Sequence, residues 1–491
     1  MTTILATAMN IYIRNMVRIE NPPKALENFS KSCLTFENPL YNEAKFFGRY
    51  TRGISRNIKL YEEKQTETDK HLLVPRGFLT KLLNECVRLD ITFNIKDETS
   101  KPDRCLDFGS IISLRDYQKK FVEDIMRTEY GSIAIAPPGS GKTICALEVA
   151  YKLGMRTLWL THTSDLIRQT TERAKEFLPK ARLGCIGSGK WEEGDITIAL
   201  VQTLIRRNIA DIETKYPLVI IDECHHTPSS TFTEIITRMS AQKIIGLSAT
   251  PYRKDKLEEI MFNVVGPTIA KVEKKQLIEA KQIIPATVIQ RHTGIAIDGR
   301  ISDYQTIMDK LCKSEQRLDM IVGDVLVEAT TGNICVVLTR TIDYGRKISS
   351  RIKNFGFKPS FVYSTEIIRE DGKKKRTKAM PKAARNKNIQ DFISGETNII
   401  IATLRFLAEG FDHKPLNRLF IVNPISHRNR TLIEQACGRV ERVHPGKSEA
   451  IVYDYVDDHA LLKAQAISRV DIYKNSLMSV IESDMKTDYL L

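Results

Sequence analysis

Apolar runs of strand length alternate with stretches whose apolar positions fall three and four residues apart. Between about Ser113 and Val265 the runs are Ile133 to Ala136, Thr157 to Leu160, Ile196 to Val201, Leu218 to Ile221 and Lys243 to Leu247. This alternation predicts a parallel sheet with helices on both faces. Gly266-Pro267 begins a changeover, and from about Lys271 the pattern restarts. Its strands are expected at Ile334 to Leu338, Lys358 to Val362, Asn398 to Ala402, Arg418 to Val422 and Glu449 to Tyr453. The first hundred or so residues lack the alternation and read as a small α+β region. The stretch from Asp458 to Leu491 reads as a charged, helical tail.

Two polar segments interrupt the first of these sheets. Pro137-Pro138-Gly139-Ser140-Gly141-Lys142-Thr143 follows the Ile133 strand and precedes the apolar helical stretch from Ile144 to Ala150. Glycines there let the backbone turn tightly and aim its N–H groups at phosphate oxygens, with the helix dipole behind them. Lys142 would reach the β and γ phosphates, and the Thr143 hydroxyl would hold Mg²⁺. Ala136 stands where the generic pattern has glycine, which leaves the turn itself intact. The second segment is Asp222-Glu223, at the end of the Leu218 to Ile221 run. Carboxylates at the carboxyl edge of such a sheet suit a magnesium partner, Asp222, and a base for water, Glu223. Alone the pair is a weak signal; with the phosphate turn upstream it predicts hydrolysis of a nucleoside triphosphate with Mg²⁺. Cys224-His225-His226 has no second cluster at finger-like spacing, which speaks against zinc.

The formal charge of +14, from 74 basic and 60 acidic residues, suits a polyanionic partner. Nine scattered cysteines, with no Cys-x-x-Cys, suit a reducing compartment. No apolar run approaches the roughly 18 residues of a membrane span, and the start lacks a secretion signal. A soluble protein of the cytoplasm is expected.

With these segments in place the chain resembles the superfamily 2 helicases of the DExH type, in the branch of the type III restriction motors and XPB. Leu114-Arg115-Asp116-Tyr117-Gln118 is similar to the adenine-side motif, Leu160-Thr161-His162-Thr163 to motif Ia, and Val201-Gln202-Thr203-Leu204 to the next strand-contacting segment. Gly246-Leu247-Ser248-Ala249-Thr250-Pro251 resembles motif III and Val336-Val337-Leu338-Thr339-Arg340 motif IV. Ala408-Glu409-Gly410-Phe411-Asp412 resembles motif V, and Gln435-Ala436-Cys437-Gly438-Arg439-Val440-Glu441-Arg442 motif VI, in the family's order.

The resemblance implies an α/β fold of two tandem RecA-like domains with parallel sheets, preceded by a small α+β N-terminal domain. The expected boundaries are 1–105, 106–268, 269–460 and a helical tail 461–491. It implies that Arg115, Gln118, Pro138, Gly139, Ser140, Gly141, Lys142, Thr143, Gly410 and Asp412 bind the nucleotide. Lys142, Asp222, Glu223, Gln435, Arg439 and Arg442 would serve hydrolysis, the two arginines from one face of a helix. His225, Ser248 and Thr250 would couple the site to movement. Thr161, Gln202, Thr203 and Thr339 would touch the polymer backbone.

In the N-terminal region, Phe46-Phe47-Gly48-Arg49-Tyr50-Thr51-Arg52-Gly53 interleaves arginine with aromatic rings. Arg49, Tyr50 and Arg52 could contact phosphates and stack on bases; the competing reading makes the aromatics the core of a small domain. The arrangement resembles the basic N-terminal DNA-binding domain of phage recombination helicases. Lys373-Lys374-Lys375-Arg376, continuing to Lys387, reads as a solvated loop. The expected activity is an ATP-dependent DNA helicase or translocase acting on duplex or branched DNA in recombination, repair or replication, as a monomer. The alternatives are an RNA helicase, or a motor subunit without unwinding activity of its own.

Overall fold

In the computed structural model the described residues are all except 1–7, 103, 208, 227–229, 251–256, 299–302, 364, 371–373, 405, 407–410, 412, 427–428 and 484–491. Gly410 and Asp412 therefore lie outside the described residues. The tripeptide 138–140 aside, one compact unit runs up to Val272 and a second begins at Glu273.

The first unit opens with strands β1 (Met9–Ile13), β2 (Val17–Glu20), β3 (Thr35–Glu37), β4 (Asn57–Lys59), β5 (Glu62–Gln65), β6 (Lys70–Val74) and β7 (Phe93–Asp97). Five of them form a sheet in the order β5-β6-β2-β1-β7, while β3 and β4 pair as a separate antiparallel ribbon. Helices Lys24–Cys33 and Leu79–Arg88 complete the α+β region.

The parallel sheet follows: β8 (Gly131–Ile135), β9 (Thr157–Thr161), β10 (Leu183–Gly187), β11 (Lys190–Glu192), β12 (Ile196–Leu200), β13 (Leu218–Ile221), β14 (Lys243–Ser248) and β15 (Thr268–Lys271). Its order is β11-β10-β12-β9-β13-β14-β8-β15, with only the edge strand β11 antiparallel. Because β15 pairs with β8, this sheet extends past the expected boundary at 268. Strands β9, β13 and β14 are buried at every position, which is why they read as unbroken apolar runs.

The N-terminal region is not a separately packed domain. One apolar core runs from Ile11, Phe78 and Leu82 through Met261 and Val264 to Ile133 and Leu158. At the join, Arg76 is buried and its guanidinium donates to the carbonyls of Ala241, Gln242 (2.8 Å) and Tyr130 (3.5 Å). Burial pulls its pKa down to about 10, so it stays charged at neutral pH. Next to it, a Cβ at Gly77 would run into the carbonyl oxygens of Phe262 and Asn263 in the helix Glu258–Val265, so only glycine allows this approach.

The second unit is a seven-stranded, fully parallel sheet built from β16 (Thr287–Ala296), β17 (Cys335–Thr339), β18 (Ser360–Val362), β21 (Ile399–Thr403), β22 (Arg418–Ile421), β23 (Ile451–Asp458) and β24 (Ser479–Ser483). Its order is β18-β21-β17-β22-β23-β16-β24. Two expectations are corrected here. The closing stretch is not wholly helical: after the helix Ala460–Asn475 it supplies the edge strand β24, paired with β16. The basic run is not a plain loop either, since β19 (Thr365–Glu370) and β20 (Lys374–Ala379) form an antiparallel hairpin. Among the described residues no helix is long and apolar enough to cross a membrane.

Both tryptophans, Trp159 and Trp191, belong to the parallel sheet of the first unit and so report its unfolding. Arg76→Met leaves carbonyls without their donor and should lower the stability read by tryptophan fluorescence in denaturant by about 2–4 kcal/mol. A separately folding N-terminal domain would leave that transition unmoved.

Candidate active site

Parallel register lines up the ends of four adjacent strands. Ile221 pairs with Leu160 on one side and Gly246 on the other, and Ser248 pairs with Ile135. Asp222 N donates to Leu160 O at 3.0 Å and Ala136 N to Ser248 O at 3.0 Å, so pairing continues to the last residues. His162, Asp222-Glu223, Ser248 and the turn 136–141 are thereby set side by side along one carboxyl edge.

In the turn, Gly139 and Gly141 take φ of 83° and 85°, the left-handed region that side chains disfavour. Gly141 caps the helix Lys142–Leu153 and brings no side chain to its first N–H groups, the kind of helix start that suits an anion. A Cβ at Gly141 would stand 2.5 Å from Gln118 Nε2. The adenine-side residue thus lies on the phosphate turn, with its Oε1 accepting from Arg115 N at 3.0 Å. Arg115 itself is exposed. Lys142 Nζ donates to Ala136 O at 2.9 Å, across the mouth of the turn.

Glu223 adopts φ of 50°, strained for a residue with a side chain, as the strand breaks into a short 3₁₀ turn. Its Oε2 is buried, 3.3 Å from His225 Nδ1, and finds no aligned donor among the described residues. His225 Nδ1 is also 3.2 Å from Ser248 Oγ. Because Ser248 Oγ donates to Thr250 O (2.5 Å), it must accept from His225, which places the proton on Nδ1. Thr250 N completes the set by donating to Ser248 Oγ at 3.2 Å. The three expected coupling residues therefore form one chain of hydrogen bonds.

Burial works against both carboxylates of the pair. The His225 contact, with the charges of His225, Lys142 and His162, nonetheless holds Glu223 below the ordinary range. Burial and the Glu223 charge push Asp222 up to about 7, against the opposing Lys142 charge. The two carboxylates titrate as a pair, so that Asp222 is the harder of them to ionise. A carboxylate in that condition is one that a divalent cation would keep ionised. Asp222 and the Thr143 hydroxyl are hard oxygen donors of the kind Mg²⁺ takes, sparingly, alongside phosphates. Among the described residues no cluster of three His, Cys, Asp or Glu could hold a metal ion.

The motif read as Leu160-Thr161-His162-Thr163 holds a residue whose part its sequence does not announce. Burial lowers the pKa of His162, against the raising charge of Glu223 and with the lowering charge of His225. Two imidazoles thus act on the Glu223 charge, His225 at 3.3 Å and His162 through its field. The signal in the sequence is only that His162 stands as far beyond Leu160 as Glu223 stands beyond Ile221.

Two of the four expected polymer contacts are corrected. Thr161 and Thr339 are fully buried, and their hydroxyls are satisfied internally: Thr161 Oγ1 by Thr163 O (3.4 Å) and Ala199 O (3.5 Å), Thr339 Oγ1 by Thr341 O (3.1 Å) and Ala402 O (3.5 Å). Neither offers a surface to a phosphate. Gln202 is exposed and Thr203 half-buried, on the helix Val201–Ile205. Arg49, Tyr50 and Arg52 are at the surface, which overturns the core reading for that cluster.

In the second unit Gln435 and Arg439 lie on the helix Arg430–Val440. Arg442, expected on the same helical face, does not: it follows the helix end and forms a bridge with Ile283. The helix stops because Glu441 O accepts from Ile284 N (2.7 Å), while the Glu441 carboxylate takes Lys274 Nζ (2.5 Å) and Ala286 N (3.1 Å). Lys447 Nζ, donating to the carbonyls of Val440, Arg442 (2.8 Å) and Leu416 (2.5 Å), closes the turn. Burial brings that ammonium down to about 8.

Two family patterns match the chain. "Type III restriction enzyme, res subunit" matches residues 111–253 and "Helicase conserved C-terminal domain" residues 318–444. A probable helicase of Escherichia phage T5 is 28% identical over 355 residues, 69% of this chain and 70% of its own. A protein of Acanthamoeba polyphaga mimivirus, named as an ATP-dependent RNA helicase, is 24% identical over 77% of this chain and 72% of its own. The DNA 3'-5' translocase XPB2 of Sulfurisphaera tokodaii is 33% identical over 34% of this chain and 37% of its own. Among solved structures, the type ISP restriction-modification enzyme LlaBIII bound to DNA superposes with a TM-score of 0.56 at 15% identity, covering 83% of this chain and 34% of that one. T4 UvsW covers 97% of this chain and 99% of its own at 16% identity, with a TM-score of 0.41. The chain belongs to the superfamily 2 helicases, in the branch of the type III restriction motors and XPB, and is an ATP-dependent enzyme.

Proposed function

We infer that the chain is an ATP-driven DNA translocase that unwinds or remodels duplex and branched DNA. The observation that carries the ATPase half is the register of β9, β13, β14 and β8, which sets base, coupling residues and phosphate turn on adjacent strand ends. In this reading the turn 138–141 and Thr143 hold the phosphates, with Lys142 on the β and γ groups and Gln118 on the adenine side. Mg²⁺, bound by Thr143 and Asp222, would offset the charge of the phosphates. Glu223, held ionised beside His225, takes the proton of the attacking water. Arg439 and Arg442 stabilise the charge of the transferring phosphoryl group, Gln435 serves the same step, and Gly410 and Asp412 bind the nucleotide. His225, Ser248 and Thr250 relay the state of that site.

The DNA half is supported by relatives named as a DNA translocase and as an enzyme bound to DNA, and by the formal charge of +14. Arg49, Tyr50 and Arg52, with Gln202 and Thr203, are the exposed candidates for contact, mostly with backbone. RNA is the second reading, favoured by the mimivirus relative's name. ATP turnover and strand displacement by the purified chain, on forked DNA, plain duplex DNA and the matching RNA, decide between them. Stimulation and displacement with DNA are expected. Stimulation by RNA alone removes the DNA reading, and stimulation by DNA without displacement leaves a bare motor.

Glu223→Gln should bind ATP and hydrolyse it slower by roughly 10²-fold or more, because the amide keeps the shape and loses the base. Turnover near the wild-type rate would take Glu223 out of the mechanism.

His162→Ala should lower kcat by about 10-fold, the usual scale for a group that holds a catalytic one in place, with the KM for ATP little changed. His162→Gln, which restores a polar partner, should recover part of the loss. A rise in KM with kcat intact would move His162 from the carboxylate to the nucleotide.

A further inference from the structure

The ribbon β3–β4 closes the base of an excursion, residues 38–56, that leaves the first unit. Its base is well held. Phe36 and Ile58 pack on the core, Asn38 N donates to Arg56 O at 3.0 Å and Asn38 Nδ2 to Ser55 O at 2.8 Å. Beyond the base the burial pattern inverts. Of the helix Pro39–Phe46 only Ala44 is buried, whereas Phe46 is 82% exposed, Tyr50 74%, Leu40 66% and Phe47 59%. Gly48 and Gly53, at φ of 62° and 89°, turn the chain in open space, so the exposure is built into the backbone.

Exposed apolar rings gathered in one segment, unlike single ones scattered over a surface, mark an interaction site. The rings are also ordered among themselves. Phe46 and Phe47 stand edge to face, centroids 5.2 Å apart at 86°, and the Arg49 guanidinium lies 5.1 Å from the Phe47 ring. Arg52 Nη1 reaches the Tyr50 hydroxyl at 3.4 Å. The segment carries Lys45, Arg49, Arg52 and Arg56 against Glu43 alone. A protein partner of ordinary composition needs no such excess of positive charge around apolar rings; a polyanion whose monomers have flat faces needs both.

We propose that residues 38–56 are a base-stacking finger, with Phe46 and Phe47 receiving the first unpaired bases where a DNA duplex opens, and Arg49 and Arg52 holding the flanking phosphates. The finger rests on the reading of the chain as a DNA translocase and adds what that reading lacks, a group that engages bases rather than backbone. Ring-on-base contact tolerates any sequence and does not release counterions, whereas the arginine contacts do. The two parts of the finger therefore separate by salt.

The test uses the full chain and a DNA fork carrying 2-aminopurine at the first unpaired position, with its RNA counterpart, titrated at several salt concentrations. Wild type should change the 2-aminopurine emission on binding the DNA fork. Phe46→Ala/Phe47→Ala should abolish that change and weaken fork binding by roughly 10-fold or more at every salt concentration, with the salt slope kept. Arg49→Ala/Arg52→Ala should instead flatten the slope. Phe46→Trp/Phe47→Trp should retain the emission change, and Phe46→Leu/Phe47→Leu, apolar but without a π face, should not. Unchanged thermal unfolding of the variants, expected for side chains this exposed, separates loss of contact from loss of fold.

The finger is overturned, with the DNA reading intact, if wild type binds and opens the fork and the alanine pair does so equally well. Leucine variants that match wild type overturn stacking. A wild type that self-associates in sedimentation, with alanine variants that stay monomeric, makes the patch an interface between copies and overturns it as well. If wild type ignores the DNA fork, or stacks only the RNA probe, the DNA reading and the finger fall together.

Discussion

The site depends on a single constraint, the shared register of β9, β13, β14 and β8. Side chains in a strand alternate faces, so a slip of one residue between β13 and β14 would turn Ser248 away from His225 and bury Asp222 where no cation reaches it. Four largely apolar strands supply little of the chemistry themselves: of the site's side chains only Ser248, the last residue of β14, lies within them. A slip of one residue would carry every side chain to the opposite face, where a different helix packs, so packing on both faces holds the register while the site's polar residues gather at the carboxyl ends. Backbone pairing that persists past the apolar runs, at Asp222 and Ala136, then fixes those ends relative to one another. Polar strand ends in an apolar sheet are thus positioned by packing that never touches the substrate.

The two units use the same device at corresponding strand ends. In Thr161-His162-Thr163 and in Thr339-Arg340-Thr341, the first threonine is buried and donates to the carbonyl of the second. The second caps the next helix: Thr163 Oγ1 accepts from Leu166 N and Thr341 Oγ1 from Tyr344 N, both at 3.3 Å. A β-branched hydroxyl residue suits this place because it extends the strand and satisfies itself locally. That is also why the sequence misleads here. A threonine in a motif looks available to a polymer, and only burial shows its hydroxyl already spent. The middle residue differs between the units, and in the first unit it is an imidazole that acts on the Glu223 charge.

What could be read from the sequence is what local geometry encodes. The phosphate turn is a run of backbone conformations that only certain residues adopt, and the Asp-Glu pair announces itself as charge at the end of an apolar run. Both parallel sheets followed from the alternation of runs and helical patterns. Contacts between segments far apart in the chain were not legible. Arg76, in Pro-Arg-Gly, has the look of a surface residue, yet it is buried against carbonyls more than fifty residues away. The strand β24 is only half apolar and was hidden by its charged neighbours. Arg442 has helical spacing from Arg439, and its departure from the helix depends on Glu441 meeting Ala286 and Lys274.

The second unit spends buried charge in a pattern that bears on those arginines. Arg317 pairs with Asp457 (2.8 Å) and Arg469 with Asp454 (2.9 Å), all four side chains almost wholly buried. Ion pairs so placed seldom add net stability over apolar residues of the same volume, because desolvation offsets the attraction. Their remaining donors are more telling. Arg317 Nη2 donates to Val422 O (2.7 Å) and Arg469 Nη1 to Ile425 O (3.2 Å). Two guanidiniums from separate helices thereby hold the carbonyls of the segment after β22, which leads into the helix of Gln435 and Arg439. Lys447 and Glu441 hold its other end. In the proposed mechanism Arg439 has to meet the transferring phosphoryl group within a fraction of an ångström, and an apolar core, tolerant of small shifts, does not define a backbone that closely. Directional bonds to carbonyls in the segment before the helix and at its C-terminal end do.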